Sequence, residues 1–164
     1  MNKLLIGAGV VIVLVGGFFV LNTYIYNAKQ AAPLPDYKNI DYKIDGQLTK
    51  VNYFGNELRT DLNHDGREDV VFIVTTSPGG SGTFFYVVAA LNTTAGYVGS
   101  EAYFLGDRIA PQTTELGREL EQKDLIIVNF ADRDLGEPMS TSPSIGKSVY
   151  LKFDPLHHNF LPVI

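Results

Sequence analysis

Asp69-Val70-Val71-Phe72-Ile73-Val74-Thr75-Thr76 is the stretch that decides the fold of this 164-residue chain. Five apolar side chains succeed one another without a polar break, and most are β-branched. A run of that length and composition reads as a buried strand. It is entered through Asp61-Leu62-Asn63-His64-Asp65-Gly66-Arg67-Glu68-Asp69, a loop with oxygen-bearing side chains at positions one, three, five and nine and glycine at six. Hard cations such as calcium need six to eight oxygens, and alternating Asp and Asn in a tight loop supply them. Glycine at the sixth position allows the positive φ that turns the chain back. Arg67, at position seven, would offer its backbone carbonyl.

Position twelve is Phe72, where an EF-hand places a bidentate glutamate, and the chain reads on as a strand, with no exit helix. The loop resembles the Asp-x-Asp/Asn-x-Asp-Gly-x-x-Asp loops of dockerins and of FG-GAP (integrin-like) repeats. That resemblance implies calcium ligation by Asp61, Asn63, Asp65 and Asp69, with the Arg67 carbonyl completing the shell. It covers about a dozen residues, so it transfers a site and leaves the fold open. The bland alternative is an Asx-rich turn that caps a strand and binds nothing.

Further strand signals lie on either side. Ile40–Ile44 and Gln47–Phe54 flank Asp45-Gly46, a favoured two-residue hairpin turn. Asp69–Thr76 and Thr83–Leu91 flank the loop Ser77-Pro78-Gly79-Gly80-Ser81-Gly82. Tyr97–Leu105 and Leu125–Phe130 read as strands, and Lys147–Phe153 alternates, with Val149, Leu151 and Phe153 on one face. Leu116 and Leu120 are four apart, so Thr113–Lys123 permits one short helix. The expectation is an all-β domain of seven or eight antiparallel strands, a sandwich or an open barrel. One metal loop and no internal repeat argue against a propeller.

Residues 1–3, expected as a cytoplasmic N-terminus, precede an apolar segment, 4–26, whose uncharged core runs from Leu4 to Leu21. At 1.5 Å per residue such a helix spans the roughly 30 Å hydrocarbon core of a bilayer. A cleaved signal peptide is the rival. Cuts after Ala28, Ala31 or Ala32 would put Tyr26, Lys29 or Gln30 at the small-residue third position, so an uncleaved single-pass anchor is expected. Residues 27–36 then form a linker around Pro33 and Pro35, and 37–164 an exported domain. Residues 27–164 carry twelve basic and eighteen acidic residues, which argues against nucleic acid as a partner. With no cysteine there is no disulfide framework.

The stretches Tyr53-Phe54-Gly55-Asn56-Glu57, Gly79-Gly80-Ser81-Gly82-Thr83-Phe84-Phe85-Tyr86, Leu105-Gly106-Asp107-Arg108-Ile109 and Asn129-Phe130-Ala131-Asp132-Arg133, with the metal loop, resemble a family of uncharacterised single-pass envelope proteins of small-genome, uncultivated bacteria. The resemblance implies an exported domain at the cell membrane and carries no activity.

Other candidate sites are weaker. Gly146-Lys147-Ser148 lacks the first glycine of a phosphate loop, Thr141 standing in its place, and precedes a strand. Asp107, Asp132, Asp134 and Glu137 could serve acid–base chemistry in an envelope hydrolase acting on glycan or peptidoglycan; Asp107-Arg108 also reads as an ion pair at a strand corner. His157-His158 reads as a surface tail, since neighbours on an extended chain point to opposite faces. The aromatics Phe84, Phe85, Tyr86, Tyr103 and Phe104 read as strand packing. The leading expectation is a non-enzymatic binding module held by calcium, its partner an envelope protein or glycan.

Overall fold

The computed structural model describes residues 36–119, 122 and 124–163, so the apolar segment 4–26 and most of the linker lie outside the described residues. Eleven strands succeed a 3₁₀ turn at Tyr37–Asn39: β1 (Tyr42–Ile44), β2 (Gln47–Thr49), β3 (Asn52–Thr60), β4 (Asp69–Thr76), β5 (Phe84–Thr93), β6 (Gly96–Gly99), β7 (Tyr103–Asp107), β8 (Ala110–Leu116), β9 (Leu125–Asp132), β10 (Ile145–Asp154) and β11 (Asn159–Pro162). They form a two-stranded sheet β1-β2, a four-stranded sheet β11-β10-β9-β8, and a five-stranded sheet β3-β4-β5-β6 in which β7 also pairs with β5. Every ladder is antiparallel. Among the described residues no helix is long and apolar enough to cross a membrane.

The apolar run at β4 is explained by what covers it. Val71 and Ile73 face a core shared with Phe85, Val87, Ala89 and Leu91 of β5 and with Ile126, Val128, Phe130, Leu151, Phe153 and Phe160 of the four-stranded sheet. Val70, Phe72 and Val74 point the other way, into a second cluster with Val88, Ala90, Tyr42 and Val51. The 3₁₀ turn and the β1–β2 hairpin close that second face, Tyr37, Ile40 and Ile44 packing against it. Strand β4 is thus buried on both sides, and a strand with two dry faces has no polar alternation to show. Two larger sheets sharing one core are consistent with a β-sandwich.

The hairpin turn falls at Asp45-Gly46, both with positive φ (51° and 76°), and pairs Ile44 with Gln47. Strand β10 buries Leu151 and Phe153 and exposes Lys152, as its alternation requires.

Four expectations need correction. Thr113–Leu116 lies in β8, paired with Ile126–Asn129, so no short helix begins there. The Leu116/Leu120 spacing misled because β8 is a sheet-edge strand with mostly polar side chains, which leaves little periodicity to read. Tyr97–Leu105 is two strands: β6 pairs with Ala90–Thr93 and β7 with Phe84–Val87, along one edge of β5. Between them Ser100, fully buried, donates its N–H to the Ala89 carbonyl and accepts the Ala89 N–H on its hydroxyl (2.9 and 2.8 Å). Lys43 and Ala102 bond across that break, fastening β1 to it. His157-His158 occupies the turn joining β10 to β11 and is no tail; Asp154 accepts from Leu156 N and pairs with the His157 ring at 2.7 Å. Among the described residues the strand count is eleven, because short edge pieces merge with their neighbours or vanish in the sequence pattern.

Candidate metal loop and the carboxylates around it

Thr60 and Asp69 are ladder partners at the ends of β3 and β4, and the chain between them must reverse within eight residues. Positive φ at His64 (58°) and Gly66 (83°) makes the reversal. The reversal brings the predicted residues together. Asp61 accepts the Asp65 and Gly66 N–H groups on its two oxygens (3.1 and 2.9 Å). Asn63 Oδ1 accepts the same Asp65 N–H at 3.1 Å, and its amide donates to Asp65 Oδ2 at 3.0 Å. Asp65 Oδ1 accepts the Arg67 N–H at 2.9 Å. Such side-chain bonds to nearby backbone donors are how Asx residues stabilise tight turns.

Arg67 enters through its side chain, a role that loop spacing does not indicate. Its guanidinium pairs with Asp65 and donates from Nε to the Asn92 carbonyl at 2.7 Å. Burial works against the Asp65 charge, but the Arg67 N–H, the Asn63 amide and the Arg67 guanidinium outweigh it and hold the carboxyl below its usual range.

Asp69 sits beneath the loop and is fully buried. Its two oxygens accept the N–H groups of Leu62 (3.0 Å) and Asn92 (2.8 Å), tying the loop to β5. Burial pushes this carboxyl up; the two backbone donors oppose that, and the charges of Asp65 and Asp61 add to it. Among the described residues no Lys, Arg or His forms an ion pair with Asp69.

The donor set is right in kind for calcium: hard oxygens from Asp61, Asn63, Asp65 and Asp69 on one short loop. Their spacing is that of a hydrogen-bonded turn, and among the described residues no group of three or more His, Cys, Asp or Glu converges as a cage. A cation held by the Asp65 carboxylate would share it with the Arg67 guanidinium or compete with it. A cavity of about 180 Å³ opens beside the loop, lined by Asp61, His64, Leu116, Asp124, Lys152 and Phe153.

Of the four carboxylates considered for acid–base chemistry, two are ion-paired. Arg108 holds Asp107 below its usual range; the pair is 3.0 Å apart, and Asp107 also accepts the Thr83 N–H. Lys147 does the same for Asp132 at 2.7 Å. Glu137 accepts the Asp134 N–H in the turn after β9. Gly146-Lys147-Ser148 lies within β10, in a ladder with β9.

Sequence reasoning missed a cluster on β3. The hydroxyls of Tyr37 and Tyr53 both donate to Glu57 Oε1 at 2.7 Å, Lys38 Nζ lies 3.3 Å from the same oxygen, and Arg59 pairs with Oε2 at 3.4 Å. A bulge between Tyr53 and Leu58 shortens the strand enough for Tyr53 to reach Glu57. The Gly55-Asn56 pair, both at positive φ, was the available signal. Burial opposes the Glu57 charge, but the two hydroxyls and Lys38 prevail and lower its pKa from 4.5 to about 2. A carboxyl with a depressed folded-state pKa contributes stability above the unfolded value and loses it as pH falls through the folded one. Stability is therefore expected to fall between pH 4.5 and about 2 partly through Glu57. In Glu57→Gln, urea midpoints measured across that range should decline less steeply; an unchanged slope would show that Glu57 is not ionised in the way described.

Comparison with family models, curated proteins and solved structures finds no match to this chain.

Proposed function

We propose that this chain is a membrane-anchored, extracytoplasmic binding module, a β-sandwich whose Asp61–Asp69 loop is fastened by calcium. The observation that carries the calcium reading is the inward convergence of Asp61, Asn63 and Asp65 on the amides of residues 65–67, above a buried Asp69 carboxylate whose partners are two N–H groups. Negative charge accumulated in one loop favours a divalent cation. The anchor at 4–26 and the export of the domain enter from the sequence and from the resemblance to envelope proteins.

A binding role is favoured over hydrolysis by the state of Asp107 and Asp132. A general acid needs a raised pKa, whereas Asp107 and Asp132 are ion-paired and lowered. An exposed aromatic patch fits recognition of an envelope protein or glycan: Phe104, 53% exposed, packs with Tyr86 and Phe84 on the outer side of β5 and β7 (5.4 and 6.3 Å between centroids).

The test is a thermal melt of the full-length chain in nonionic detergent, stripped with chelator and titrated with calcium. At a hundred times Kd the ion should add about 2.7 kcal/mol, or roughly 8–12 °C for a domain of this size. An Asp61→Ala/Asp65→Ala variant should not respond. A wild-type midpoint that stays put to about 10 mM, well beyond the weakest affinities of such loops, removes calcium from the proposal.

A further inference from the structure

Phe72 forms the floor of a small aromatic box. Tyr37 and Tyr53 stand on it with ring centroids 5.6 and 5.5 Å away. Both hydroxyls converge on one oxygen of Glu57, so the rings and the carboxylate are fixed relative to one another. Into this box projects the ammonium of Lys38, 4.2 Å from the Tyr53 centroid, 5.6 Å from that of Tyr37 and 3.3 Å from Glu57. Arg59 flanks the far side, its Cζ 5.7 Å from the Tyr37 centroid.

We propose that Tyr37, Tyr53 and Glu57 form a binding site for an alkylated ammonium group, and that Lys38 occupies it in cis. Aromatic faces beside a fixed carboxylate are the chemistry by which proteins recognise quaternary ammonium ions. The position of Lys38 Nζ marks where the charge sits. A methylated ammonium is less hydrated than a primary one, so it gives up less water to lie against the rings. Lys38 can be displaced at little cost to the fold: it lies on the 3₁₀ turn, its side chain is 38% exposed, and that turn buries no residue completely. Phe72 and the shared carboxylate keep the box in shape when it leaves. This site is separate from the metal loop and does not depend on calcium.

The experiment titrates the full-length chain, in maltoside micelles, with tetramethylammonium chloride against sodium chloride at equal ionic strength, following the tyrosine resonances. Lys38→Ala removes the internal competitor and should bind tetramethylammonium saturably in the millimolar range, at least about tenfold more tightly than wild type. Adding Tyr53→Ala should abolish binding. Adding Glu57→Gln, which keeps the shape and removes the charge, should weaken it at least about fivefold and covers the case in which Tyr53→Ala does not fold. The proposal is overturned if Lys38→Ala shows no saturable response to about 100 mM, or responds equally to sodium. Phosphocholine in place of tetramethylammonium separates the sources. Tighter binding of phosphocholine, with its phosphate near Arg59, identifies a lipid headgroup, and tighter binding of the bare ion identifies a free amine; either supports the site.

Discussion

Phe72→Ala should lower the stability of the domain by about 3–5 kcal/mol, measured by urea unfolding. Phe72 is fully buried at the middle of β4 and serves three aromatic neighbours, Tyr37, Tyr42 and Tyr53, at 5.5–5.7 Å between centroids. Truncation removes the apolar transfer energy of a whole ring and opens a cavity that the rigid strand backbone cannot collapse. Against a typical total of about 5–15 kcal/mol, a loss on this scale is a large fraction of all the stability present. Phe72→Leu fills most of the volume and should cost less than about 1.5 kcal/mol. A loss below about 1 kcal/mol for the alanine variant would mean that the hairpin face contributes little and that the second cluster is not a core.

Asp69→Ala should cost about 2–4 kcal/mol in the absence of calcium, because it strands two N–H donors, those of Leu62 and Asn92, at a fully buried position. Removing a charge that burial disfavours offsets part of that penalty, which is why the figure stays below that for two bare donors plus a cavity. The contrast with Asp61 is informative. Asp61 accepts from the exposed Asp65 and Gly66 N–H groups, which water can serve when the carboxylate is gone. Asp61→Ala should therefore leave the metal-free melt nearly unchanged and lose the calcium response, while Asp69→Ala loses both. Chelator-treated melts of the two variants decide the matter: equal metal-free midpoints would show that Asp69 does not latch the loop to β5.

Local patterns carried much of the architecture. Asp69–Thr76 was legible to the residue because burial on both faces leaves a continuous apolar run with a clear start. Asp45-Gly46 was legible because the turn requires positive φ at both positions. Strand β8 was not, since Pro111, Gln112 and Glu115 give a partly exposed edge strand no apolar stripe. The residues that meet in the Asp61–Asp69 turn could be named from spacing alone, but not the role of the Arg67 side chain, which depends on Asn92, 25 residues away. The box around Glu57 was likewise hidden. Tyr37 and Glu57 are 20 residues apart, and their meeting depends on a bulge and on the packing of the 3₁₀ turn over Phe72.

The break at Ser100 has a consequence for how this molecule lives among copies of itself. An uninterrupted strand alongside β5 would present a long row of free N–H and C=O groups, a template on which another chain could pair. Instead that row is cut into pieces of four and five residues, and the groups at the cut are taken up by Ala89, Lys43 and the Ser100 hydroxyl. Four or five residues are short of the segment lengths that sustain cross-β stacking. Along this edge of β5, crowded copies of the domain are thereby denied a continuous rail for templated self-association.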